Sequence, residues 1–201
     1  MTAAPATRLL VVRHGRTEWN ATARWQGRAD IPLDESGMQQ AAEAALALGT
    51  FDAIWSSPLQ RAMRTAQIIG EILGIGPVST DPRLVETDVG PWEGLNREEV
   101  EAGWPGFLAA QQRPDGFESY DDAAARVLAA LVDIADAHRG GEVLIVSHGG
   151  VMRAVRRALG AGDPLFVNLG GSWFHVDEHG GVDAGEVISV LATRSADRAG
   201  G

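Results

Sequence analysis

The sequence predicts an α/β fold, a three-layer α/β/α sandwich around a mainly parallel central sheet. Short apolar, β-branched runs recur along the chain, Leu9-Leu10-Val11-Val12 and Val143-Leu144-Ile145-Val146 among them. Runs of that length read as strands buried on both faces. Segments with apolar residues at helical spacing alternate with them, which is the pattern of a parallel sheet covered by helices. A length of 201 residues with 45% apolar content suits one domain with a small lid.

Taken in order, residues 8–13 form the first strand. Residues 15–34 are polar and irregular. The alanine-rich stretch 36–48 has helical spacing, and Gly49 supplies a stop. Residues 52–55 read as a second strand, and Ser57-Pro58 opens a helix to Leu73, with proline at the first helical position. Residues 78–80 are a short third strand, and 83–94 a loop holding Glu86. Asn96 caps a short helix to residue 102. The Trp, Pro and Gly residues of 103–117 show no period and read as loop or lid. Ser119 caps a long helix to residue 138, with Asp121 and Asp122 at its positive end. Then come a buried strand at 142–146, a helix at 150–159, and two strands at 172–176 and 186–191. The tail after Thr193 reads as frayed. The whole of 1–201 is thus one domain, with its core at about 8–192 and a lid and specificity segment at about 87–118.

Composition excludes several chemistries. The formal net charge is −10, so broad attraction to nucleic acid or to an anionic membrane is not expected. Without cysteine there is no disulfide, thiolate metal site or thiol nucleophile. All 17 basic residues are arginine, so Schiff-base chemistry and a P-loop lysine are absent as well. The start of the chain lacks a basic, then apolar, leader, and no run approaches the length of a membrane span. A cytoplasmic location follows as the default expectation.

In an open parallel sheet, ligands sit beyond the carboxyl ends of the strands. The residues there are unusual: Arg13-His14-Gly15 after the first strand, Ser56-Ser57-Pro58-Leu59-Gln60-Arg61-Ala62-Met63-Arg64 after the second, and Ser147-His148-Gly149-Gly150 after the strand at 142–146. Two histidines and several arginines would meet at one sheet edge. Phosphate needs such a setting, with planar donors for its oxygens and backbone N–H groups from glycine turns and helix starts. An imidazole with one unprotonated nitrogen is a competent nucleophile, and a backbone acceptor on the other nitrogen would fix its tautomer. Arginine would supply the charge stabilisation that magnesium often provides, so neither metal nor cofactor is expected. His175 and His179 are spaced i, i+4, but they straddle a predicted strand end rather than a helix.

The octet Arg13-His14-Gly15-Arg16-Thr17-Glu18-Trp19-Asn20 resembles the RHGxTxxN signature of the histidine phosphatase superfamily, the phosphoglycerate mutase-like proteins. Gln26-Gly27, Leu33 to Gly37, Ser56 to Ala66, Arg83 to Glu86, Gly90 to Gly94, Glu118-Ser119 and Ser147 to Gly150 follow in the family's order. The resemblance implies that His14 attacks phosphorus and becomes a phosphohistidine. It further implies that Arg13, Arg64 and His148 hold the phosphoryl oxygens, with Asn20 and the backbone around Gly27 and Gly149 completing the contacts. Glu86 would protonate the leaving oxygen and then activate water. The expected partner is a small phosphorylated metabolite, and family members are often homodimers.

Five other residues have plainer readings. Arg61, three residues from Arg64 on the same helix, reads as structural and is left out of the phosphate set. Glu93 in Trp-Glu-Gly also reads as structural. Arg153, Arg156 and Arg157 read as one exposed helix face. Between hydrolysis and phosphoglycerate mutation, hydrolysis is favoured. A mutase resembling this family carries a basic block after the acid, where this chain has Glu86-Thr87-Asp88-Val89-Gly90 and no basic residue until Arg97. A non-catalytic phosphoester-binding protein would be expected to lack His14 or Glu86. Within the phosphatase branch, Ser172-Trp173 and the Trp-Pro-Gly segment resemble glucosyl-3-phosphoglycerate phosphatase-like and broad-specificity members.

Overall fold

The computed structural model describes residues 6–191. Its strands are β1 (Thr7–Arg13), β2 (Ala53–Ser56), β3 (Ser79–Thr80), β4 (Glu142–Ser147), β5 (Gly170–Val176) and β6 (Val182–Ser189). They form one sheet in the order β3-β2-β4-β1-β5-β6. Strands β1 to β4 are parallel, β5 is antiparallel to β1, and β6 is antiparallel to β5. The helices are α1 (Glu18–Ala21), α2 (Glu35–Ala47), α3 (Gln60–Leu73), α4 (Arg97–Gly103), α5 (Tyr120–Ala137) and α6 (Gly149–Ala158). The expected readings of the first five residues and of the tail beyond Thr193 lie outside the described residues.

The sandwich follows from the period-2 alternation of two central strands. In β1, Leu9 and Val11 point into one core with α5 and α6, while Leu10 and Val12 point into the other with α2 and α3. The neighbouring β4 does the same, Val143 and Ile145 on one side, Leu144 and Val146 on the other. All eight are at most 2% exposed, which is why both strands read as unbroken apolar runs. A third, smaller core of Val89, Trp92 and Val100 packs Trp25, Leu95 and Phe117 above the sheet edge. It shapes the 87–118 segment.

The structure departs from the sequence reading in three places. The polar 15–34 stretch contains α1, a single turn held by a capping box in which Thr17 and Asn20 bond each other's backbone. One turn is too short to carry an apolar period. Helix α3 begins at Gln60 rather than Ser57, with no side-chain cap on Leu59. The Ser57 hydroxyl accepts the Leu59 N–H and faces His148. Strand β6 starts at Val182, four residues early, because its half-exposed edge carries no continuous apolar run.

Candidate active site

His14 follows β1 directly, and its backbone N–H donates to Ser147 O at 3.0 Å, extending the β1–β4 ladder by one bond. Its ring is 2% exposed. Nδ1 lies 2.7 Å from Gly15 O. A carbonyl only accepts, so Nδ1 carries the proton and Nε2 keeps its lone pair. Burial lowers the His14 pKa well below 6.5, and the nearby Arg61 and Arg13 charges push the same way, against the Gly15 carbonyl. The imidazole is therefore neutral at neutral pH, the form that can act as a nucleophile.

Two guanidinium groups flank it on the wall of a cleft of about 1060 Å³. Arg13, the last residue of β1, donates to Phe166 O at 2.7 Å. Arg61 is fully buried and donates to Gly27 O at 2.8 Å and Ala29 O at 2.6 Å, gripping the loop beside the cleft. Desolvation lowers its pKa to about 10, so it stays charged at neutral pH.

The expectation for the second arginine is corrected here. Arg64, and not Arg61, was expected in the phosphate set, yet Arg64 is 47% exposed in its side chain and reaches only Gln67 and Glu71. The buried stripe of α3 runs through Arg61, Ala62, Thr65, Ala66, Ile68 and Ile69. At about 100° per residue, Arg64 falls about 120° from the centre of that stripe, and Arg61 falls inside it.

His148 is fully buried behind His14, with the two ring centroids 5.2 Å apart, and is not on the cleft wall. Its Nε2 is 2.8 Å from Ser57 Oγ. The Ser57 oxygen also accepts the Leu59 N–H. The other ring nitrogen, Nδ1, is buried and has no hydrogen-bond partner among the described residues. Burial also holds this histidine neutral, with Arg61 and His14 acting in the same direction.

Glu86 enters the cleft from the loop after β3. Oε2 accepts from Gly150 N at 3.0 Å, and Oε1 accepts from Val151 N at 3.0 Å and Thr87 N at 2.8 Å. The carboxylate thus sits on the N-terminus of α6, where free N–H groups need an acceptor. Gly150 makes room for it, since a Cβ there would stand 2.5 Å from Oε1. Arg126, on α5, clamps the loop by donating to the carbonyls of Arg83, Val85 and Glu86 while pairing with Glu118.

Asn20, Gly27 and Gly149 also line the cleft. The Asn20 Oδ1 accepts from Thr17 N and from Asn168 Nδ2, each at 3.2 Å, so its NH₂ group is the part left for a ligand. Gly27 has φ +50°, and a Cβ there would strike Val89 at 2.6 Å. Glu93 accepts from Arg28 N and Ala29 N and bears on the loop rather than the cleft. Trp92 is fully buried in the third core, while Trp25 reaches the cleft wall. The basic face expected of α6 is not simply exposed. Arg156 is buried against Ser172, Gly185 and Ala161, while Arg153 and Arg157 bond Asp163 and line the cleft. His175 lies on β5 and His179 in the turn after it, and no group of three or more metal-ligating side chains occurs among the described residues.

The family model described as histidine phosphatase superfamily (branch 1) matches residues 9–171. The chain belongs to the histidine phosphatase superfamily. It is 36% identical over 195 residues to a glucosyl-3-phosphoglycerate phosphatase of Mycobacterium tuberculosis, covering 84% of this chain and 87% of that one. It is 38% identical over 159 residues to a metal-independent phosphoserine phosphatase of Arabidopsis thaliana, covering 74% and 67% respectively. A solved mycobacterial glucosyl-3-phosphoglycerate phosphatase with VO3 superposes with a TM-score of 0.79 at 30% identity, covering 88% and 96%.

In this histidine phosphatase, two contributors were not legible in the sequence as site residues. Arg61 had a signal, its place in the apolar stripe of α3. Asn168 had none. It donates to His14 O at 2.9 Å and to Asn20 Oδ1 across about 150 residues of chain, a contact that exists only once the fold is formed.

Proposed function

We propose that this chain hydrolyses phosphomonoesters without a metal ion, through a phosphohistidine at His14 with Glu86 as acid and then base. The observation that carries the reading is the His14 tautomer: a buried, neutral ring whose Nδ1–H is held by Gly15 O, leaving the Nε2 lone pair beside Arg13 and Arg61. The relatives named as phosphatases support it. Nε2 attacks phosphorus, the P–N bond forms, and the P–O bond to the alcohol breaks as Glu86 gives the leaving oxygen its proton. Glu86 then takes a proton from water, whose oxygen attacks phosphorus, releasing phosphate and restoring Nε2. Arg13, Arg61 and the Asn20 amide, which line the cleft, would hold the phosphoryl oxygens as charge shifts onto them, while His148 lies behind the His14 ring. The Gly15 carbonyl favours the cationic, phosphorylated ring.

The test is release of inorganic phosphate from p-nitrophenyl phosphate, O-phosphoserine, 3-phosphoglycerate and glucosyl-3-phosphoglycerate in EDTA, beside an assay for interconversion of 3- and 2-phosphoglycerate. Release that survives EDTA without isomerisation is the expected result. Dominant isomerisation, or loss on chelation with rescue by a divalent metal, would overturn the reading.

Glu86→Gln separates the acid role from a merely structural one. For alkyl phosphates, kcat should fall about 10²- to 10⁴-fold, the usual range for a positioned acid. With p-nitrophenyl phosphate the loss should be at least about 10-fold smaller, because that leaving group needs little protonation. Equal losses on both substrates would rule out the acid role.

A further inference from the structure

Glu86 sits in a segment that secondary structure does little to fix. Residues 83–86 run off the short 3-10 turn Pro82–Leu84 and lie outside the sheet. Their four carbonyls are all taken by side chains from elsewhere in the chain. Ser147, at the end of β4, donates its hydroxyl to Leu84 O at 2.9 Å. Arg126, on α5, takes the other three. Nη1 donates to Arg83 O at 2.6 Å and Val85 O at 2.7 Å, and Nη2 to Glu86 O at 3.1 Å. A guanidinium has five N–H groups. The remaining two go to Glu118, from Nε to Oε1 at 2.7 Å and from Nη2 to Oε2 at 2.9 Å.

The far end of the same loop is held through Glu118. Its Oε2 accepts the Asp88 N–H at 3.0 Å, and its own N–H donates to Asp88 O at 2.9 Å. Burial pushes the Glu118 pKa up, but the bonds from Arg126 and the Asp88 N–H outweigh it. The carboxyl is held below its usual range and is ionised at neutral pH. Arg28 reaches Glu118 Oε1 at 3.3 Å from the loop that Arg61 grips beside the cleft. Arg126 and Glu118 thus bracket residues 83–88 on both sides of Glu86. Every N–H of Arg126 is spent on that bracket, and Arg126 is not on the cleft wall. Whatever it does for the reaction passes through Glu86.

We propose that Arg126 is the positioning residue for the acid–base group, with Glu118 fixing its guanidinium, so that the pair sets where the Glu86 carboxylate stands relative to His14. This rests on the reading of Glu86 as acid and then base. The carboxylate also leans on the Gly150 and Val151 N–H groups, and it meets both only while the backbone around residue 86 stays where Arg126 holds it. Proton transfer depends steeply on that placement: a displacement of about 1 Å can cost about 10²-fold in rate. Phosphoryl binding depends on other anchors. Arg13 is held by Phe166 O, Arg61 by the carbonyls of Gly27 and Ala29, and Asn20 by Asn168.

The test compares leaving groups in the full-length chain. Arg126→Met keeps the aliphatic stem and removes all five donors. On the alkyl phosphate cleaved fastest by the parent, kcat/KM should fall about 10- to 100-fold. On p-nitrophenyl phosphate the loss should be at least about 5-fold smaller, because that leaving group needs little protonation. Inhibition by inorganic phosphate should stay within about 3-fold of the parent, since the loss lies in the transition state. In a Glu86→Gln background, adding Arg126→Met should lower kcat/KM on the alkyl ester by no more than about 2-fold further, as for two residues that act through one group. A merely structural arginine would give equal losses on both esters, or losses that multiply with those of Glu86→Gln, and either result would overturn the positioning role. Arg126→Lys keeps a charge beside Glu118 but offers three donors to five acceptors. It should show the same bias in smaller size, and it carries the test if Arg126→Met does not fold. Failure of the acid reading shows separately, as equal losses on the two esters in Glu86→Gln alone.

Discussion

His14→Ala is expected to lower kcat on p-nitrophenyl phosphate by about 10⁴-fold or more, the scale seen when a covalent nucleophile is removed. It should also abolish an acid-labile phosphate label on the protein. The loss is large because the alternative, direct attack by water, has no positioned lone pair beside Arg13 and Arg61. Inorganic phosphate should still bind, since Arg13, Arg61 and the Asn20 amide are held by Phe166, the 27–29 loop and Asn168 rather than by the imidazole. The variant removes a ring that is 2% exposed and frees the Gly15 carbonyl, at a cost of about 1–3 kcal/mol in stability. For a chain of this length that amounts to about 2–4 °C of Tm per kcal/mol, so activity is compared well below the transition. Turnover within about 10-fold of the parent would leave too little of the barrier to a covalent step.

What was legible in the sequence and what was not divides along physical lines. β1 and β4 were readable because both of their faces are buried, so nothing polar interrupts the run. His14 and His148 were readable because a polar motif directly after such a strand must sit at the carboxyl edge of the sheet. α1 was not, since a capping box alone holds its one turn. The α6 arginines were misread for a different reason. Their spacing describes a helix face, but what that face meets is decided by the chain beyond it, where Asp163 folds back to pair with Arg153 and Arg157. The absence of basic residues just after Glu86, which favoured hydrolysis over mutation, describes that one segment of the chain only. Other cations come from α6, from Arg24 and from Arg113, which the fold gathers into one cleft.

The choice between Arg61 and Arg64 makes the sharpest contrast between two residues of one type. Arg61→Gln should lower kcat/KM by about 10²- to 10³-fold, as expected on removing one preorganised group that stabilises developing charge. Arg64→Gln should stay within about 2-fold, because an exposed arginine with partners at 3.5 Å contributes little. Arg61 carries a second duty, since its two terminal nitrogens satisfy the carbonyls of Gly27 and Ala29. A fall in activity could therefore come through the displaced loop alone. Arg61→Lys tells the two apart: it keeps a positive charge in the cleft but cannot reach both carbonyls in a fork. If charge dominates, Arg61→Lys recovers much of the activity lost in Arg61→Gln. If the loop grip dominates, both variants fall together and both lose Tm. A large loss in Arg64→Gln with Arg61→Gln near parental activity would mean that α3 presents its other face to the phosphoryl group.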